Sequence, residues 1–218
     1  LALALFDLDN TLLAGDSDYL WGRFLVEHQL VDAELYEREN QRFYDQYRQG
    51  TLNIEEFLAF SLAPLAHHPA AQLHAWRETF IQQVIEPIIL PAAEELLAQH
   101  RGQGDVLVII TATNRFVTAP IAERLQVSHL LATEVERVDG VYTGRSCGIP
   151  CFQDGKVTRL EQWLQSHDTG LEDSWFYSDS HNDLPLLERV THPVAVDPDD
   201  VLRHSAQSRN WPVISLRD

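Results

Sequence analysis

The chain has 218 residues, 44% of them hydrophobic, and carries 33 acidic against 16 basic side chains for a formal charge of −17. This is the composition of a globular protein long enough to bury a full core. The acidic excess excludes a general nucleic-acid binder, which needs a basic footprint, and argues against docking on anionic lipid.

Residues 1–8, LALALFDL, form a short apolar run suited to a buried parallel strand. No basic region precedes them, so a signal peptide is not expected, and no stretch reaches the roughly 18 apolar residues of a membrane span. Residues 9–15 are turn-like and end at Gly15. From 16 to 86 the texture changes: Asp16 or Ser17 can cap a helix, and Tyr19, Leu20, Phe24 and Leu25, then Tyr44, Tyr47, Phe57, Leu58 and Leu62, recur at helical spacing. Without strand-like alternation, this stretch reads as an all-helical insert of three or four helices, its aromatics forming the insert's own core.

After Pro91 strands and helices alternate. The expected order is a helix at 92–101 stopped by Gly102 and Gly104, a strand at 106–112 and a helix at 115–126 containing Pro120. A hairpin over 130–146 turning at Asp139-Gly140 comes next, then a helix at 156–167, a strand at 174–178 and a helix at 182–189. A strand at 193–196, a helix at 199–207 and a strand at 212–215 complete the chain. This alternation implies a parallel sheet covered on both faces. The expected fold is therefore α/β: a Rossmann-like core from residues 1–15 and 87–218, with the helical insert at 16–86.

In such a sheet ligands bind beyond the carboxyl ends of the strands. Asp7, Asp9 and Thr11 follow the first strand; Thr111, Ala112, Thr113 and Asn114 end the second; Asp179 and Asp183 follow the third. Lys156, the chain's single Lys beside 15 Arg, opens a nearby helix. Converging carboxylates raise one another's pKa, and a hard cation such as Mg²⁺ relieves that repulsion. The Thr111 hydroxyl and adjacent backbone N–H groups suit a phosphoryl oxygen at a helix N-terminus. The set fits phosphoryl transfer through an aspartate nucleophile. Cys147 and Cys151 lack a partner pair for a zinc site, and a cytoplasmic setting is the default.

The set FDLDNT, ITAT, Lys156 and YSDSHNDLPLL resembles the four motifs of the haloacid dehalogenase superfamily, and the insert resembles the C1 cap of its phosphoserine-phosphatase-like branch. The resemblance covers essentially the whole chain. It implies Asp7 as nucleophile and Asp9 as general acid and base. It implies Mg²⁺ held by Asp7, the Asp9 carbonyl and Asp179, steadied by Asp183. Thr111 would bind the phosphoryl group and Lys156 would steady Asp7. An acid two residues after the nucleophile points to a phosphatase or phosphomutase; a module that binds Mg²⁺ and phosphate without turnover is the third reading.

Phosphoserine phosphatases of that branch usually carry Ser-Gly-Gly at the second motif, where this chain has Thr111-Ala112-Thr113. The following stretch, RFVTAPIA, is similar to a bacterial subgroup associated with histidinol phosphate and other small phosphomonoesters. The fourth motif has Ser178 where many relatives have Gly. Asp16 and Asp18 suit an ammonium or imidazolium group on the substrate. Ala112, Thr113, Asn114 and Arg115 are further candidates to line the pocket, with Arg42, Arg48 and the 147–152 loop beside them. The expectation is a small soluble phosphomonoester as partner, with the protein a monomer or homodimer.

Overall fold

The structure is a computed structural model and describes residues 2–217; Leu1 and Asp218, the outer ends of the expected core, lie outside the described residues. Among the described residues seven strands form one sheet in the order β4-β3-β2-β1-β5-β6-β7. The strands are β1 (Leu3–Phe6), β2 (Val106–Asn114), β3 (His129–Val138), β4 (Val141–Cys147), β5 (Trp175–Ser178), β6 (His192–Val196) and β7 (Val213–Ile214). Every pairing is parallel except the β3–β4 hairpin, which turns at Asp139-Gly140. Gly140 has φ +84°, and the preceding Asp139 φ +51°, as a tight two-residue turn requires.

β1 is central because both its faces are apolar. Ala4 and Phe6 join one hydrophobic cluster, while Leu3 and Leu5 join another on the opposite face. The strand order reverses at β1: the chain next builds β2 and β3 on one side, and later β5, β6 and β7 on the other. That reversal opens a crevice at the carboxyl ends of β1 and β5.

Between β1 and β2 lie α1 (Ser17–Glu27), α2 (Ala33–Gln49), α3 (Ile54–Ala66) and α4 (Ala70–Phe80). Asp16 is the N-cap of α1, accepting from the Tyr19 N–H at 2.8 Å. Asp32 and Asn53 cap α2 and α3. Trp21, Phe24, Leu62, Leu73 and Phe80 from these helices share the hydrophobic cluster of Phe6. α4 continues into a π-helical segment at Ile81–Ile85. After β2 come α6 and the hairpin, so the remaining helices are α5 (Pro91–Gln103), α6 (Arg115–Arg124), α7 (Asp154–His167), α8 (Leu184–Leu187) and α9 (Asp200–Ser208). Among the described residues no helix is long and apolar enough to cross a membrane.

Two expected boundaries move. α5 runs through Gly102 and stops only at Gly104, which takes φ +82°. The helix expected at 182–189 shrinks to a 3-10 turn and the four residues of α8, because the Asp183 carboxylate is engaged elsewhere and makes no side-chain cap. α6 keeps Pro120 in its interior. Proline has no N–H to return to the carbonyl four residues earlier, and Arg77 of α4 donates to that Phe116 carbonyl at 2.8 Å, its guanidinium 4.8 Å from the Phe116 ring centroid.

Candidate active site

The crevice gathers the carboxylates. Asp7 follows β1, its N–H donating to the Tyr177 carbonyl at 2.9 Å, and is 3% exposed. Lys156, 1% exposed on α7, places Nζ 2.7 Å from Asp7 Oδ1 and 2.7 Å from Asp183 Oδ1. Ser178 donates to Asp183 Oδ2 at 2.7 Å. The other Asp7 oxygen, Oδ2, lies 3.3 Å from the Thr11 hydroxyl, which is 3.2 Å from Asp179 Oδ1 and accepts from the Asp179 N–H. Burial raises the Asp7 carboxyl above its ordinary value, with Asp183 adding to the effect and Lys156 opposing it. Burial, then Asp7 and Asp183, hold Asp179 well above its own. Burial works against the Lys156 charge, but Asp183 and Asp7 override it and hold the ammonium above its usual range.

Asp7 and Asp179 therefore converge as hard oxygen donors whose repulsion one ammonium does not relieve. Among the described residues no three His, Cys, Asp or Glu side chains form a complete metal cage. Mg²⁺ does not need one, since it takes one or two carboxylates, a few other oxygens and water. The donor set fits that ion: Asp7 and Asp179 would hold it, with the Asp9 carbonyl as a further oxygen. Asp183 pairs with Lys156 and accepts from Ser178.

Asp9 accepts from the Ser17 N–H and from the Thr113 hydroxyl, both at 2.6 Å. Its carboxyl is thus held between the start of α1 and the end of β2, and burial raises its pKa. Thr113 is free to do this because the β2–β3 ladder breaks: Ile110 pairs with Leu131 and Asn114 with Thr133, so four steps on β2 face two on β3. The break leaves Thr111, Ala112 and Thr113 facing the site. Asn114, not Thr111, caps α6, accepting from the Val117 N–H while its Nδ2 donates to Asp18 Oδ1 at 3.2 Å.

Asp7, Asp9, Asp16, Asp18 and Thr111–Thr113 line one cavity of about 40 Å³. A family profile described as haloacid dehalogenase-like hydrolase matches residues 4–188. The chain belongs to this family. A histidinol-phosphatase from Neisseria meningitidis serogroup C is 41% identical over 99% of both chains. Phosphoserine phosphatase SerB1 of Mycobacterium tuberculosis is 31% identical over 99% of this chain and 71% of its own length. A protein of unknown function from Bordetella pertussis Tohama I superposes with a TM-score of 0.93 at 46% identity, covering 99% of this chain and 98% of that one. A phosphoserine phosphatase solved as a phospho-aspartyl intermediate analogue shares the fold, with a TM-score of 0.73 at 21% identity over 100% of this chain and 94% of that one. This haloacid dehalogenase-like hydrolase is a phosphatase.

Two expectations about the hydrolase's pocket are corrected. Arg115 does not line the cavity: Glu134 holds its guanidinium at 2.8 Å, and the Leu130 carbonyl takes a second donor. Nor are the aromatics of the helical segment only its core, since Tyr19, Phe43, Tyr44, Tyr47 and Phe57 face the cavity. Arg42 is paired with Glu39, whereas Arg48 lines a neighbouring cleft on Asp179. Of the 147–152 loop, Phe152 reaches the Tyr47 ring at 6.0 Å between centroids. Asp16 both caps α1 and lines the cavity. Helical spacing of aromatics was the available signal for the lining, but it does not tell a core face from a cavity face.

Asp18 is 9% exposed and has no cationic partner among the described residues. Burial, then Asp9, pushes its carboxyl up to about 7 from 3.8, against the Asn114 hydrogen bond. A carboxyl raised on folding contributes stability that is fully present below its unfolded value and lost as pH rises through the folded one. In metal-free buffer, Asp18→Asn is therefore expected to raise Tm at pH 8, with the gain shrinking as pH falls toward about 4. A gain equal at pH 8 and pH 5 by thermal melts would contradict the assignment.

Proposed function

We propose that this phosphatase hydrolyses a small cationic phosphomonoester, with histidinol phosphate as its preferred substrate. The observation that carries the reading is the pairing, in one cavity, of Asp7 and Asp9 with two carboxylates that have no cation of their own, Asp16 and Asp18. Burial, then Asp9, holds Asp16 well above its ordinary value, so a positive group entering there relieves a built-in cost. Tyr19, Phe43, Tyr44 and Phe57 add aromatic surface suited to an imidazolium. Among the described residues no Arg or Lys lines this cavity, leaving nothing to receive the carboxylate of phosphoserine. The 41% identical histidinol-phosphatase supports the same choice.

In this reading Asp7 attacks phosphorus, the ester P–O bond breaks, and an aspartyl phosphate forms. Asp9 gives its proton to the departing alkoxide, for which its raised pKa keeps a proton available. Asp9 then takes a proton from water as that water attacks the aspartyl phosphate, releasing phosphate and free Asp7. The Thr111 hydroxyl faces the phosphoryl oxygens, while Lys156, 2.7 Å behind Asp7, steadies the nucleophile and offsets its charge. Mg²⁺, when bound, supplies positive charge that keeps Asp7 ionised and offsets the negative charge of the phosphoryl group. The helical segment 16–86 acts as a lid: Tyr19, Phe43, Tyr44 and Phe57 from it face Asp7 and Asp9 across the cavity, and a shift of these helices admits substrate.

The test is Mg²⁺-dependent phosphate release from histidinol phosphate, phosphoserine, phosphocholine, sugar phosphates and an aryl phosphate. Histidinol phosphate is expected to give the highest kcat/KM. Asp18→Asn should raise KM for it about tenfold, the scale of one lost charge pair, while changing the aryl phosphate KM little. A preference for phosphoserine or an uncharged ester would overturn the substrate choice.

A further inference from the structure

We infer that Tyr47 is a further catalytic residue, carried by α2 into the catalytic carboxylates so that its hydroxyl donates a hydrogen bond to the phosphoryl group during transfer. The inference rests on the roles proposed above for Asp7 and Asp179. Three contacts fix where this side chain goes. The Tyr47 carbonyl accepts from Asn182 Nδ2 at 2.9 Å, and Asn182 Oδ1 accepts from Gln153 Nε2 at 3.0 Å, just ahead of the Lys156 turn. Gly50, at the end of α2 with φ +70°, sits so close to His181 that a Cβ there would lie 2.7 Å from Nε2. Phe152 stands against the Tyr47 ring.

The C-terminal end of α2 is thus docked on the 180–182 loop that follows Asp179. Tyr47 lines the cavity of Asp7, Asp9 and Thr111, and it also lines an open cleft of about 570 Å³ that contains Asp179 and Ser180. It therefore stands in the wall between the reacting carboxylates and bulk water. Burial, then Asp7, Asp183 and Asp179, push the phenol well above its ordinary value, against a hydrogen bond with Ser180. Toward an anion a phenol hydroxyl is a donor. A neutral donor held among carboxylates meets negative charge where a transferring phosphoryl group puts it. Tyr142, on β4, packs against Phe116 at 5.4 Å and lines neither space, so it serves as the aromatic control.

The experiment compares Tyr47→Phe, which keeps the ring and the backbone contact, with Tyr142→Phe and Asp7→Asn. Substrates are histidinol phosphate and an aryl phosphate; orthovanadate with Mg²⁺ is the transition-state probe. Tyr47→Phe is expected to lower kcat about 100-fold on both esters, the loss typical of one missing donor to a developing oxyanion. KM and Tm should hold, and the orthovanadate inhibition constant should rise by a similar factor. Tyr47→Phe with kcat and orthovanadate inhibition within about twofold of the parent, alongside an inert Asp7→Asn, overturns this inference alone. Undiminished turnover by Asp7→Asn overturns the underlying reading and this inference with it.

Discussion

Asp7→Asn is expected to reduce phosphate release by about 10⁴-fold or more, the scale on which removing a nucleophile disables a covalent mechanism, without unfolding the protein. Asparagine has the same shape but no anionic oxygen to attack phosphorus. Lys156 keeps Asp183 as its partner at 2.7 Å, so the substitution leaves no buried cation alone. It also removes a carboxylate that burial disfavours. The metal-free variant should therefore melt at or above the parent's Tm at pH 8. Phosphate release and thermal melts on one preparation decide the matter: activity above about 1% of the parent would move the nucleophile elsewhere.

Lys156→Met is expected to have the largest effect on stability. The ammonium is 1% exposed between Asp7 and Asp183. Methionine fills a similar volume but leaves two buried carboxylates facing each other. Breaking a buried pair by removing one partner costs about 3–5 kcal/mol, and a chain of this size loses about 2–4 °C of Tm per kcal/mol. A fall of roughly 10 °C at pH 7 follows from these figures. The loss should shrink as pH falls, because protonation of Asp7, whose carboxyl burial already raises, removes uncompensated charge. The parent lacks this rescue: its Lys156, raised above its ordinary value, contributes stability fully present at neutral pH. A variant whose Tm deficit stays constant from pH 8 to pH 5 would show that the carboxylates do not depend on Lys156.

The sheet and the carboxylates were readable because two simple regularities place them. Apolar runs mark the strands, and acids directly after β1 and β5 must fall at one edge. The interior of the helical segment was not readable, because Phe43, Tyr44 and Tyr47 on α2 have the spacing of a packed face whether they meet protein or line a cavity. Arg115 follows the second motif in sequence, yet Glu134, nineteen residues on, decides where its guanidinium lies. Thr113 faces the site only because the β2–β3 ladder breaks, and nothing local in the sequence announces that break. Asp183, expected to steady the metal site, is held by Lys156 and by Ser178, the residue that replaces the more usual Gly.

Pro120 and Arg77 set two kinds of order against each other. Replacing Pro120 by alanine would give α6 a better helix, with an N–H returned to the Phe116 carbonyl. That same oxygen is what the Arg77 guanidinium now holds from α4. Perfecting the helix would set a second donor beside Arg77 on that oxygen, which the guanidinium of α4 now has to itself, so a local gap in one element is where another is fastened to it.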